Sequence, residues 1–243
     1  MIDFHARLGA GLLDAMDAAG IARAAVSAGG LVTLDRLSEL VAAPEASAPP
    51  AAARPRADNA AVLAAAGDRL VPFYFADPFT DVEAYAKAAS DYRGLEISPA
   101  IHGFRYDDPN VRDLIATARA ANHPVYTVCL ARPGTRATDL AALASDVPDV
   151  HFVFGHCGFT GLDAAGLTTL APLPNVAAEL SGSFTAIARL AIARFGPGRV
   201  LFGTEYPLQD PRVELAKLAA LDLDPATYRA VTDTNARRLL GES

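Results

Sequence analysis

Short apolar runs alternate with stretches of helical period along the whole chain, and that alternation restricts the fold more than any other feature. Strand-like runs fall at residues 2–7, 22–27, 70–75, 94–98, 125–130, 150–156, 176–181 and 200–203. Between them the apolar positions recur at helical spacing, at 12–19, 82–90, 111–121, 137–144, 184–195 and 213–221. Strand followed by helix, repeated, produces a parallel sheet covered by helices. Eight such units in 243 residues predict a closed (β/α)8 TIM barrel of class α/β, a fold that commonly takes ~250 residues. No composition break divides 1–243, so one domain is expected, with a final helix over 225–240 packed outside or beneath the barrel. Residues 42–58 are dominated by Ala, Pro and Ser and read as a flexible loop after the second strand.

Composition narrows the partners. Half of the residues are hydrophobic (51%), enough for a full core, and the net charge is −7. No long basic run is present, which argues against nucleic acid or an anionic membrane surface. No apolar stretch approaches the ~20 residues of a membrane helix, and the N-terminus lacks a signal-peptide pattern. A cytoplasmic protein with a small-molecule substrate is expected. Cys129 and Cys157 form no Cys-x-x-Cys pair and read as reduced, buried thiols.

In a parallel barrel, chemistry gathers at the C-terminal ends of the strands. That rule sorts the five histidines. His123 and His151 precede or begin their strands and belong to the bottom. His5 and His156 lie at strand ends, Glu205 follows the eighth strand, and His102 follows the fourth in a loop with Arg105 and Tyr106. Arg7, two residues beyond His5, projects to the same side of its strand. An imidazole binds a divalent metal, whereas a guanidinium does not.

These segments resemble the amidohydrolase-related family, the branch of the amidohydrolase superfamily that contains metal-dependent hydrolases and nonoxidative decarboxylases. Ile2-Asp3-Phe4-His5 resembles the opening metal strand, Gly94 through Pro99 strand four, and His123-Pro124-Val125 the entry to strand five. Phe154-Gly155-His156-Cys157-Gly158 resembles strand six, Pro174 through Gly182 strand seven, and Leu201 through Pro207 strand eight. The likeness runs nearly end to end and implies the barrel. The departures fall on the metal site. The resemblance implies His-x-His on strand one, where this chain has Arg7 second; a histidine on strand five, here Val128; and an aspartate after strand eight, here Glu205. A histidine after strand four is replaced by Ser98, and a basic residue two positions earlier by Glu96.

Val128 offers no donor, and an inward Arg7 repels a dication by several kcal/mol at ~4 Å. The expectation is therefore a metal-independent enzyme, a hydrolase cleaving a C–O or C–N bond in a small anionic lactone, ester or cyclic amide. Arg7 would hold a carboxylate or oxyanion. Glu205 would act as general base, with His5 and His156 donating hydrogen bonds or shuttling the proton. Glu96, Ser98, His102, Arg105 and Tyr206 would contact substrate. The alternatives are a decarboxylase or other proton-transfer lyase, and a noncatalytic barrel in which Arg7 and Glu205 form a buried ion pair. With respect to cofactors, none is expected; the alternative is zinc or manganese on His5, His156 and Glu205, with Cys129 contributing only if strand five slips by one residue. A homodimer through the outer helices is carried by analogy.

Overall fold

The computed structural model describes residues 1–29, 32–42 and 54–242. Eight strands, β1 (Ile2–Arg7), β2 (Arg23–Ser27), β3 (Leu70–Phe75), β4 (Gly94–Ile97), β5 (Val125–Thr127), β6 (Phe152–Phe154), β7 (Val176–Glu179) and β8 (Val200–Leu201), pair in parallel and in sequence order. The circle closes through backbone hydrogen bonds from Phe4 N to Phe202 O (2.9 Å) and from Glu205 N to His5 O (2.7 Å). This is a single-domain TIM barrel.

Two apolar layers hold it together. Ile2, Phe4, Val71, Phe73, Tyr126, Val153 and Leu201 fill the barrel interior, while Ala6, Val26, Leu95, Phe152 and Val200 face the surrounding helices. The alternation along each strand is the period-two pleat. The helices start on sequence-readable signals: Asp58, Asp108, Asp163, Asp210 and Asp224 each accept a backbone N–H of the first turn. Proline follows immediately in three of them, Pro109, Pro211 and Pro225.

The strands are shorter than the apolar runs suggest. β5 stops at Thr127 and β6 at Phe154, because the residues beyond leave the ladder to form the turns of the upper rim. The segment after β2 carries a helix, Leu34–Ala42, that the periodicity did not reveal, and Asn59–Ala65 forms another. Of the expected loop at 42–58, residues 43–53 lie outside the described residues. Ala42 closes the first of those helices and Asp58 caps the second. The expected terminal helix is continuous but passes through a π turn, Ala230–Thr234, between Pro225–Arg229 and Asn235–Leu239. Asn235 binds Pro197 O and Val200 O, and Ala236 and Leu239 join the interior core, so this helix plugs the bottom.

Candidate active site

A β-bulge between Asp3 and Ala6 shifts the β1 register by one residue. Two β1 residues then span one β2 step, and His5 enters the interior directly after Phe4. His5 stacks on Tyr126, with ring centroids 4.0 Å apart and planes at 9°. Among the described residues neither ring nitrogen of this buried histidine has a hydrogen-bond partner, although Nε2 lies 3.5 Å from Glu96 Oε1.

Arg7 and His5 do share a side, as the spacing predicts, but the arginine does not pair with Glu205. Its Nη1 sits 2.7 Å from Glu96 Oε1 and 2.7 Å from Ser27 Oγ, and its guanidinium lies over the Phe75 ring. The ion pair belongs to Glu96 because strand four faces strand one's end across the barrel mouth, while Glu205 turns to His156. Burial opposes charge on Glu96, yet Arg7 and His5 outweigh it and hold the carboxyl below the usual range.

His156 and Glu205 stand on the turns that follow β6 and β8, not on the strands. Both adopt left-handed backbone, with φ of 58° and 52°. Each such non-glycine residue costs ~1–3 kcal/mol, a strain that recurs at functional sites. His156 Nε2 lies 3.4 Å from Glu205 Oε1. Beneath them is Glu179, fully buried, accepting from Tyr126 Oη (2.8 Å), Ser181 Oγ (2.9 Å) and the His156 and Ser181 amides. Burial alone would neutralise Glu179, but His156 and His5 lower its pKa. Glycines make the room. A Cβ at Gly155 would meet the Tyr126 ring at 2.4 Å, and one at Gly203 would meet Glu179 Oε1 at 2.3 Å.

Asp3 braces the floor from below through His5 N, Thr204 N and Thr204 Oγ1. Burial pushes its carboxyl up to about 8. Cys129 and Cys157 are free and buried, and burial pushes both thiols up. Cys129 faces the helix layer beside Tyr106.

Above this floor is a cavity of about 490 Å³ whose lining includes Arg7, Glu96, Ser98, His156 and Glu205. Its other walls are apolar, with Val128 and Phe159 joined by Leu34, Leu37, Leu40 and Val41 of the helix Leu34–Ala42. Three residues singled out from sequence lie elsewhere. Arg105 is exposed and bound bidentately by Asp107, two residues on. Tyr206 donates its hydroxyl to Ala10 O. His102 is buried behind Phe75 and borders a separate recess with Asp77 and Asp81. Loop residues after a strand end need not turn inward, and sequence gives no direction there. Sequence reasoning missed Tyr126, Glu179 and Ser181. Alternation offered a signal for the first two, since Tyr126 is two before Val128 and Glu179 is a lone acid in an apolar strand.

The donor set fits a divalent cation. Ligand atoms of His5, His156 and Glu205 all lie within 4.8 Å of one another, and three protein ligands with an open position suit a catalytic ion. The pairing with Glu96 offsets the Arg7 charge that would repel it. The arrangement thus favours the metal alternative over the expectation that Arg7 takes a cation's place.

The chain's relatives agree with this architecture. No curated protein matches it. Among solved structures, an uncharacterized TIM-barrel protein from Bordetella bronchiseptica superposes with a TM-score of 0.72 at 19% identity, over 95% of this chain and 81% of its own. A 2,6-dihydroxybenzoate decarboxylase from Rhizobium gives 0.67 at 18% identity, over 99% and 97%. A 5-carboxyvanillate decarboxylase from Novosphingobium aromaticivorans, complexed with manganese and 4-hydroxy-3-methoxy-5-nitrobenzoic acid, gives 0.67 at 17%, over 96% and 80%. At these identities the likeness is one of fold. The amidohydrolase family profile, however, matches residues 2–241, and the chain belongs to that family.

Proposed function

We propose that the chain is a nonoxidative carboxy-lyase for a small, largely apolar carboxylic acid, assisted by a divalent cation held by His5, His156 and Glu205. The observation that carries this reading is the convergence of those three donors, with His156 and Glu205 lining an otherwise apolar cavity and His5 buried beside His156. Formal charge supports it. Glu96 pairs with Arg7, while Glu179 and Glu205 lie against His156 with no guanidinium paired to either among the described residues, so with neutral imidazoles the floor carries more negative than positive charge. The manganese-bound decarboxylase of the same fold points the same way.

When bound, the cation would anchor a substrate oxygen and stabilise negative charge building there. Arg7 uses Nη1 for Glu96 and Ser27 and keeps its other donors for a substrate oxygen. Val128, Phe159 and Leu37 exclude water around the reacting carboxylate, an environment that favours loss of its charge. As the carbon–carboxyl bond breaks, its electron pair stays on carbon, and a proton carried by the Glu205 carboxyl oxygen that would not hold the cation passes to that carbon. Carbon dioxide and the protonated product result.

Ester or lactone hydrolysis is the second reading. It is favoured by Glu205 itself, whose side chain is 20% exposed and can reach a water. The experiment measures metal in protein purified without chelator, then carbon dioxide release from a panel of hydroxybenzoates. The expected outcome is about one manganese or zinc per chain and saturable release abolished by Glu205→Gln. Turnover that survives full metal depletion rejects the cation. Cleavage of lactones with no carbon dioxide from any acid replaces lyase by hydrolase.

A further inference from the structure

Proton accounting around Glu179 fixes more than its charge. The carboxylate can only accept, and both neighbouring hydroxyls, Tyr126 Oη (2.8 Å) and Ser181 Oγ (2.9 Å), lie within donating distance of Oε2. A hydroxyl has one proton. With that proton on Glu179, Ser181 Oγ can only accept from His156 Nδ1, 2.8 Å away. Two more acceptors surround the same nitrogen: the Ser181 carbonyl at 3.3 Å and Glu179 Oε2 at 3.7 Å. Neither can donate. The ring's other nitrogen, Nε2, faces two acceptors by the same count, the Tyr126 oxygen at 3.2 Å and Glu205 Oε1 at 3.4 Å, both farther than the 2.8 Å contact at Nδ1, so the one proton of the neutral ring belongs on Nδ1.

We infer that Glu179, acting through Ser181, locks His156 with a proton on Nδ1 and presents Nε2 to the cavity as the position that takes a proton or a cation. Glu179 and Ser181 are positioning residues, since neither lines the cavity. The left-handed turn at His156 serves the same end, aiming its amide at Glu179 (3.1 Å) while the ring reaches Ser181. A ring flipped by half a turn would put the carbon Cδ2 where Nδ1 now meets these oxygens and give up the present pairing. A carboxylate or carbonyl behind one imidazole nitrogen is the arrangement that sets tautomer and basicity at the other. The inference rests on the proposed function only for what the ring is used for; the assignment of the proton stands apart from any substrate.

The test is a two-bond proton–nitrogen correlation spectrum of the full chain labelled with 15N-histidine at pH 8, without added metal or substrate. The His156 signals are those lost in His156→Gln. A protonated, pyrrole-type Nδ1 is expected, whereas a pyridine-type Nδ1 with the proton on Nε2 overturns the inference. Glu179→Gln turns one acceptor into an amide donor and frees the Ser181 proton for Nδ1, so the Nε2–H population should rise at least fivefold. An unchanged ratio in the folded variant also overturns it. Should that variant not fold, Ser181→Ala reads the same arm. The Nδ1 proton, deprived of its hydroxyl acceptor, should exchange with solvent at least tenfold faster, and an unchanged rate is the contrary result. The spectrum involves no turnover, so failure of the carboxy-lyase reading and failure of this one are told apart.

Discussion

Replacing Arg7 by methionine would leave Glu96 buried beside Ser27 with no guanidinium, and removing one member of a buried pair costs ~3–5 kcal/mol. The expected result is a loss near the lower end, about 3 kcal/mol, because the Arg7 side chain keeps 16% exposure. Glu96→Gln added to it should restore most of that. Urea unfolding of the single and double variants measures the coupling, and additive losses would mean the pair is not what holds Arg7. Asp3 gives a pH signature of its own. The unfolded side chain releases its proton near 3.8, while burial keeps it on the folded one to about 8. Between those values the folded state binds the extra proton, so stability falls as pH rises, by up to about 1.4 kcal/mol per unit. Glu96 and Glu179 have the opposite sign: their pKa values are lowered, and their contribution is lost as pH falls below the ordinary carboxylate range. Asp3→Asn, which can still bridge Thr204, should flatten the upper window; a wild-type slope that survives the substitution refutes this origin. At this scale Arg7, Glu96, Ser98, His156 and Glu205 were legible because the C-terminal strand ends and the turns just beyond them surround the cavity, with His5 buried beside His156. The identity of Arg7's partner was not, since sequence does not say which carboxylate lies across the mouth.

Among the elements, the strands were read almost to the residue where the strand-like run and the ladder end together, as in β1 and β3, and overrun where the chain turns out of the ladder while remaining apolar, as in β5 and β6. The β1 bulge had no sequence signal, yet it places His5 against Tyr126. Gly155 could be read as part of a motif, but its physical reason is a tyrosine from the neighbouring strand. Gly155→Ala would drive a Cβ to 2.4 Å from that ring. Overpacking of this kind costs ~1–3 kcal/mol. The variant should melt lower and lose part of the near-ultraviolet dichroism of Tyr126, and an unchanged melting temperature would show that the tyrosine can move aside. The helix Leu34–Ala42, hidden by its polar outer positions, supplies four residues of the apolar wall. Substrate size should therefore respond to changes at Leu37 and Leu40 more than to changes on any strand.

For the whole molecule, the ledger of charge links site to stability. The chain is acidic overall, at −7, and gathers carboxylates around His156 and around a His5 whose ring nitrogens have no hydrogen-bond partner among the described residues. A cation that binds only the folded state raises stability by mass action, about 2.7 kcal/mol at a hundredfold excess over its dissociation constant. His5 belongs to β1, His156 to the turn after β6 and Glu205 to the turn after β8, so one ion would tie together the two sides of the barrel's closing seam. Melting of metal-depleted protein titrated with manganese should rise by several degrees and saturate, with the rise abolished in His5→Ala and in Glu205→Gln. Val128→His, which adds a fourth donor to the same cavity wall, should bring saturation at a lower manganese concentration. If manganese leaves the wild-type melting curve where it was, the three donors do not act as one site, and the imidazoles themselves must supply the positive charge that the floor requires.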